Sequence, residues 1–172
     1  WTTALTGRPG PVVIALPEDM LTRLTEAAPL TGSARVAEPA PDAATMTEVQ
    51  AMLGAAARPL ILMGGCNWTT AGRAALQGFA EASDIPVVAA FRYQDQFDNF
   101  SPCYAGEAGV GMPAHVKALV READVILAIN TRFGEMTTDG YPLLDVPVPV
   151  QRLIHVHASD REIGKVYQPV LG

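Results

Sequence analysis

Charge is the first thing this sequence lacks: only 17% of its 172 residues are Asp, Glu, Lys or Arg, and no basic cluster exceeds two residues. Nucleic acid and anionic membrane surfaces are therefore not expected as partners. The formal net charge of −6 reads as a contribution to solubility. Cysteine is nearly absent. Cys66 and Cys103 stand alone with no CxxC, which excludes a disulfide framework or a zinc knuckle and points to a reducing cytoplasm. No stretch approaches the roughly 18 continuous apolar residues of a membrane helix. No basic segment leads into an apolar signal core, and a chain opening on Trp1 rather than Met reads as a piece of a longer protein. Ser/His/Asp triads, paired carboxylates and the GxGxxG fingerprint are missing too, so no catalytic residue is assigned.

What is present is apolar pattern, with 49% hydrophobic residues, enough for one α/β domain with a sizeable core. Residues 1–24 read as the tail of another domain. A short helical piece stops at Gly7, Arg8-Pro9-Gly10-Pro11 forbids helix, and Val12-Val13-Ile14-Ala15-Leu16 has the length of one buried strand whose neighbours are missing. Residues 25–44, rich in Ala, Pro, Thr and Gly, read as a linker. From 45 to 172 the pattern is regular. A helix capped by Thr45 or Thr47 runs to about Ala57, and Pro59–Met63 is a strand ended by Gly64-Gly65. A helix over Thr69–Ala82 and a strand over Ile85–Ala90 follow, then an irregular stretch holding most of the aromatics. Pro113 opens a helix to about Glu122; Asp124–Ile129 and Leu153–His157 are strands; Asp160–Lys165 is a short helix; Pro169-Val170-Leu171 approaches a further strand. Such alternation predicts βαβ units: a parallel sheet covered on both faces.

Ligands of open parallel sheets sit beyond the carboxyl ends of the strands. The segments reaching that edge supply the candidate cofactor-binding residues: Gly64, Gly65, Cys66 and Asn67; Arg92; Thr131, Arg132 and Phe133; and His157. Glycines before a helix let backbone approach a phosphate, and Arg92 and Arg132 can pair with a diphosphate. The same Gly64-Gly65 also reads as a plain tight turn. His155 and His157 alternate along one strand and share a face, but no third or fourth metal ligand accompanies them, so no metal site is assigned. Cys66 has no His or Asn arrangement beside it and reads as structural.

In order, four phrases carry a resemblance: Gly7-Arg8-Pro9-Gly10-Pro11 through Pro17-Glu18-Asp19; Arg58-Pro59 through Gly65; Ala123-Asp124-Val125-Ile126-Leu127-Ala128-Ile129-Asn130-Thr131-Arg132-Phe133; and Ile154-His155-Val156-His157 followed by Glu162-Ile163-Gly164-Lys165. The chain resembles the acetolactate synthase-like family of thiamine-diphosphate-dependent enzymes, its first phrase resembling the end of their N-terminal pyrimidine-binding domain and the rest their central domain. The resemblance implies a Rossmann-like sheet of the DHS-like NAD/FAD-binding type. It implies a parent enzyme, a homo-oligomer with N- and C-terminal domains missing here, that decarboxylates a 2-oxo acid and ligates the product. Thiamine diphosphate and Mg²⁺ would be bound by those absent domains, since neither the activating glutamate nor a Gly-Asp-Gly is found in this chain. On this reading the chain alone is no enzyme. The resemblance also allows FAD or ADP in this domain. However, Gly134-Glu135 stands where flavin-binding members carry acids, and His155 and His157 stand where acids would meet ribose hydroxyls. The alternative is an independent FAD- or ADP-binding module of similar fold.

Overall fold

The computed structural model describes residues 2–29, 31, 32, 35, 36 and 39–172. They fall into two units, Trp1–Ala40 and Pro41–Gly172. In the first, α1 (Thr2–Leu5) is a single turn. Gly7 ends it with φ +65°, and the Gly10 amide donates to the Ala4 carbonyl at 3.0 Å. The strand expected over Val12–Leu16 does not form. Val13 is 91% and Ile14 77% exposed, because a strand needs a partner for its backbone groups and its apolar faces. Glu18–Leu21 is a 3-10 turn beside an Asp19–Arg23 ion pair of 3.0 Å. The described residues of 25–42 hold no helix or strand; positions 30, 33, 34, 37 and 38 of the expected linker lie outside the described residues.

The second unit starts earlier than the expected Thr45 or Thr47. Helix α2 (Ala43–Gly54) is capped by Asp42, whose carboxylate accepts the Thr45 amide at 2.8 Å. Asp42 stands three residues ahead of Thr45, and a carboxylate is an equally good cap. Strand β1 is Pro59–Met63 and helix α3 Thr70–Ser83. Strands β2 (Val87–Ala90) and β3 (Tyr104–Ala108) follow, then α4 (Ala114–Glu122), β4 (Val125–Ile129) and β5 (Arg152–Val156). The five strands form one sheet, all pairs parallel, in the order β3-β2-β1-β4-β5. This is a Rossmann-like α/β arrangement. No helix of the described residues is long and apolar enough to cross a membrane.

Strand alternation sorts the core into two layers. Ile61, Met63, Val87, Leu127 and Ile154 face α2 and α3, where Met52, Leu76 and Ala80 meet them. Leu60, Leu62, Val88, Ile126, Ala128 and Leu153 face the other way, onto Val116 and Val120 of α4. No helix joins β4 to β5. Instead a coil covers that end of the face, placing Phe133, Leu143 and Leu144 in the core beside Tyr167. The coil is tied down by Arg121 Nη2 donating to the Pro142 carbonyl (3.0 Å), by the Tyr167 hydroxyl donating to the Tyr141 carbonyl (2.6 Å), and by a Lys117–Asp139 ion pair.

At the opposite strand ends, Asp124 accepts the amides of Ala57 (2.6 Å) and Arg58 (2.9 Å), fixing the entry to β1 beside β4. Burial opposes its charge, yet these amides, with its own and that of Val125, hold the carboxyl below its usual range. Residues 160–165 do not make the expected helix. They are successive turns, with Ile163 donating to Asp160 at 3.3 Å and Gly164 at φ +73°. The approach to a further strand does form: Leu171 bridges Ile154 in parallel, and His155 donates to the Leu171 carbonyl at 2.9 Å.

The α3 cap offers a clean stability test. Thr69 Oγ1 accepts the Gly72 amide at 3.0 Å, so Thr69→Ala is expected to cost about 1 kcal/mol, with Thr69→Ser near neutral. Urea midpoints that do not separate the two variants would show that the cap contributes nothing.

Candidate functional site

The chain runs outward through β1, β2 and β3, then returns to place β4 and β5 on the other side of β1. The reversal lies between β1 and β4, and beyond their carboxyl ends is where such sheets open a crevice. Two loops meet there. The Gly64 amide continues the ladder, donating to the Ile129 carbonyl at 2.9 Å, and the Asn130 amide donates to the Val156 carbonyl at 2.7 Å.

The glycine pair is needed by the protein's own packing. A Cβ on Gly64 would lie 3.0 Å from the Thr131 Cα. Gly65 has φ +74°, and a Cβ there would overlap the Asn130 carboxamide. Trp68, four residues on, donates its indole N–H to the Gly64 carbonyl at 2.7 Å and packs on the α2/α3 layer. Cys66 and Asn67 are exposed on this turn, with the thiol 3.6 Å from Asn67 Oδ1.

Of the expected residues, Gly64, Gly65 and Thr131 are brought together. Arg132 points to solvent, while Phe133 is 2% exposed. Its ring meets His155 edge-on at 5.1 Å and Tyr167 at 5.2 Å. Arg92 stands at the end of β2 with φ +70°. Its amide donates to Glu107 Oε1 at 2.8 Å and its guanidinium lies 5.1 Å from the Phe91 ring centroid. His157 is half-buried, accepts the Ser159 amide at 3.0 Å on Nδ1, and lies 6.1 Å from His155. Asn130 and Trp68 were not among the expected residues. Their signals are an Asn directly after a strand, where a left-handed residue is needed, and an indole one turn after a glycine pair.

His155 is the one buried histidine of this edge. Its Nε2 is 2.8 Å from the Thr131 carbonyl, so it carries the proton, and Nδ1 is buried with no hydrogen-bond partner. Desolvation holds its pKa below the usual histidine value; the Thr131 carbonyl opposes this, His157 adds to it, and Glu162 opposes it. Among the described residues no three His, Cys, Asp or Glu side chains converge as a metal site would require.

Residues 46–172 match the family described as thiamine pyrophosphate enzyme, central domain. The chain belongs to that family. The match starts near the beginning of α2 and takes in the whole sheet. The chain is 29% identical to the acetolactate synthase large subunit of Parasynechococcus marenigrum, over 94% of this chain and 27% of that protein. It is 27% identical to the acetolactate synthase isozyme 1 large subunit of Escherichia coli, over 96% of this chain and 29% of that one. The sulfoacetaldehyde acetyltransferase of Rhodobacter capsulatus is 29% identical over 94% of this chain and 27% of its own length. This thiamine pyrophosphate enzyme central domain thus spans little more than a quarter of each of these relatives.

Proposed function

We propose that this central domain is a structural part of a larger, cytoplasmic, homo-oligomeric enzyme that decarboxylates a 2-oxo acid and ligates the remaining fragment to an acceptor. The observation that carries the reading is the family match across the whole sheet, in relatives more than three times the chain's length. In this reading thiamine diphosphate, held with Mg²⁺ by regions outside this chain, supplies the ylid chemistry. The residues here do not fit that cofactor: no Gly-Asp-Gly occurs, and no cluster of metal ligands forms among the described residues. The work of this domain is packing and contact with the flanking regions. The relatives bear the names of different reactions, acetolactate synthase and sulfoacetaldehyde acetyltransferase, which suits a domain that does not touch the reacting carbon.

The test is CO₂ release from a panel of 2-oxo acids, with and without thiamine diphosphate and Mg²⁺. The expected result is dependence on thiamine diphosphate in the full product of the encoding gene and no turnover by the 172-residue chain. Turnover by the chain alone, or a full product indifferent to thiamine diphosphate, would overturn the proposal.

A further inference from the structure

We infer that Asn130 closes the crevice between β1 and β4 from inside, so that its carboxamide takes the place an FAD or ADP phosphate would need and the domain binds neither there. The inference rests on the scaffold reading above. A glycine at such an edge ordinarily leaves its α-carbon bare for a ligand. Here the bare face of Gly65 is met by the Asn130 side chain and that of Gly64 by Thr131. The direction in which the Asn130 side chain leaves the main chain is set by its backbone. Asn130 sits at φ +56°, a left-handed conformation that Asn tolerates better than most residues, and its amide is anchored on Val156 at 2.7 Å.

The other wall is anchored as well, since the Trp68 indole holds the Gly64 carbonyl at 2.7 Å. Both lips of the crevice are therefore tied to layers of the core and not to a guest. The residues that would receive the rest of a nucleotide are also committed elsewhere. The end of β5 and the residue after it read Ile154-His155-Val156-His157, with no carboxylate for a ribose hydroxyl. His155 spends its N–H on Thr131, and Phe133 packs inward between His155 and Tyr167. Arg132 is the one cation on that loop and faces solvent, and an exposed guanidinium, whether this one or that of Arg92 at the end of β2, does not hold a diphosphate against water.

Three readings on the 172-residue chain test this. Titration calorimetry with ADP and with FAD should give no binding at micromolar concentrations. In NMR spectra, the Asn130 side-chain amide protons should cross-relax with the Gly65 α-protons. In thermal melts, Gly65→Ala should lower Tm by about 10 °C in the native background and by about 4 °C beside Asn130→Gly, where only the left-handed strain remains. Asn130→Gly suits φ +56° and is expected to fold; folding of Gly65→Ala only in its company is the same result in extreme form. Micromolar ADP or FAD binding weakened tenfold by Gly65→Ala would overturn the inference. So would equal Tm losses in the two backgrounds, or absence of the cross-relaxation. None of these readings depends on thiamine diphosphate turnover, so loss of the scaffold reading would show separately, in the CO₂ assay.

Discussion

Phe133→Ala is expected to lower the unfolding free energy by about 3–5 kcal/mol and Tm by about 10 °C. The ring is 2% exposed and lies in the layer formed by Leu60, Ile126, Leu153 and the α4 residues Val116 and Val120. It also stands edge-on to both His155 and Tyr167, at 5.1 and 5.2 Å, an arrangement that adds to area burial. The covering coil is pinned by Arg121, Tyr167 and the Lys117–Asp139 pair, so it has little freedom to collapse into the space a methyl group leaves. Phe133 also holds φ +50°, a strained value for an aromatic residue, so its burial offsets a cost its backbone already carries. Phe133→Leu should be milder, about 1–1.5 kcal/mol. The neighbouring Arg132→Ala, on an exposed side chain, should leave Tm within about 2 °C. The check is urea and thermal unfolding of all three; a Phe133→Ala loss no larger than that of Arg132→Ala would show that the ring is not packed.

That contrast marks what the sequence made legible. Buried parallel strands announce themselves as unbroken apolar runs, so Pro59–Met63 was found to the residue and β4 and β5 to within one. Helices α3 and α4 were equally plain from Thr69 and Pro113, which the structure places at their N-caps. Strand β3 was missed. Tyr104-Ala105-Gly106-Glu107-Ala108 lies at the sheet edge, half-buried over most of its length, with Gly106 at φ +123° and a register shift opposite Val87–Val88. Its pairing comes from the neighbouring strand and not from its own apolar content. Val12–Leu16 erred the other way, since an apolar run states an appetite for partners and not their presence. At the crevice, the glycine pair follows β1 and meets the loop after β4. Which group fills it depends on Asn130, 65 positions later in the sequence, and no local pattern encodes such a contact. Phe133 is expected as a ligand contact because its segment reaches the carboxyl edge of the sheet; its burial and its contacts with His155 and Tyr167 show that the ring goes inward.

Stability is expected to fall as pH drops below about 6.5, well before carboxylates protonate, and His155 is the cause. Its Nε2 proton is committed to the Thr131 carbonyl at 2.8 Å, so acid must add a proton to Nδ1, which is buried and has no acceptor. That creates both a buried charge and an unpaired donor. The charged groups facing the ring do not cancel: His157 disfavours the cation and Glu162 favours it, but desolvation is the largest influence and keeps the folded-state pKa below the ordinary value. A histidine with a lowered folded pKa contributes stability that is complete above its unfolded pKa. The unfolded chain takes up the proton first, so that stability is lost as pH falls from the unfolded value toward the folded one. Between the two values the loss approaches about 1.4 kcal/mol per pH unit. The carboxylates whose pKa values are lowered, Asp124 and Asp139 among them, lose their contribution only below their own unfolded range, so the two acid limbs are separable. His155→Gln keeps an N–H for the Thr131 carbonyl and cannot titrate. Urea unfolding at pH 7.5, 7.0, 6.5, 6.0 and 5.5 should therefore show a decline in the native chain that is much weaker in His155→Gln over the same range. Parallel declines in the two proteins would mean that His155 is accessible to protons in the folded state at no cost, and that the edge of β5 is not sealed by Phe133.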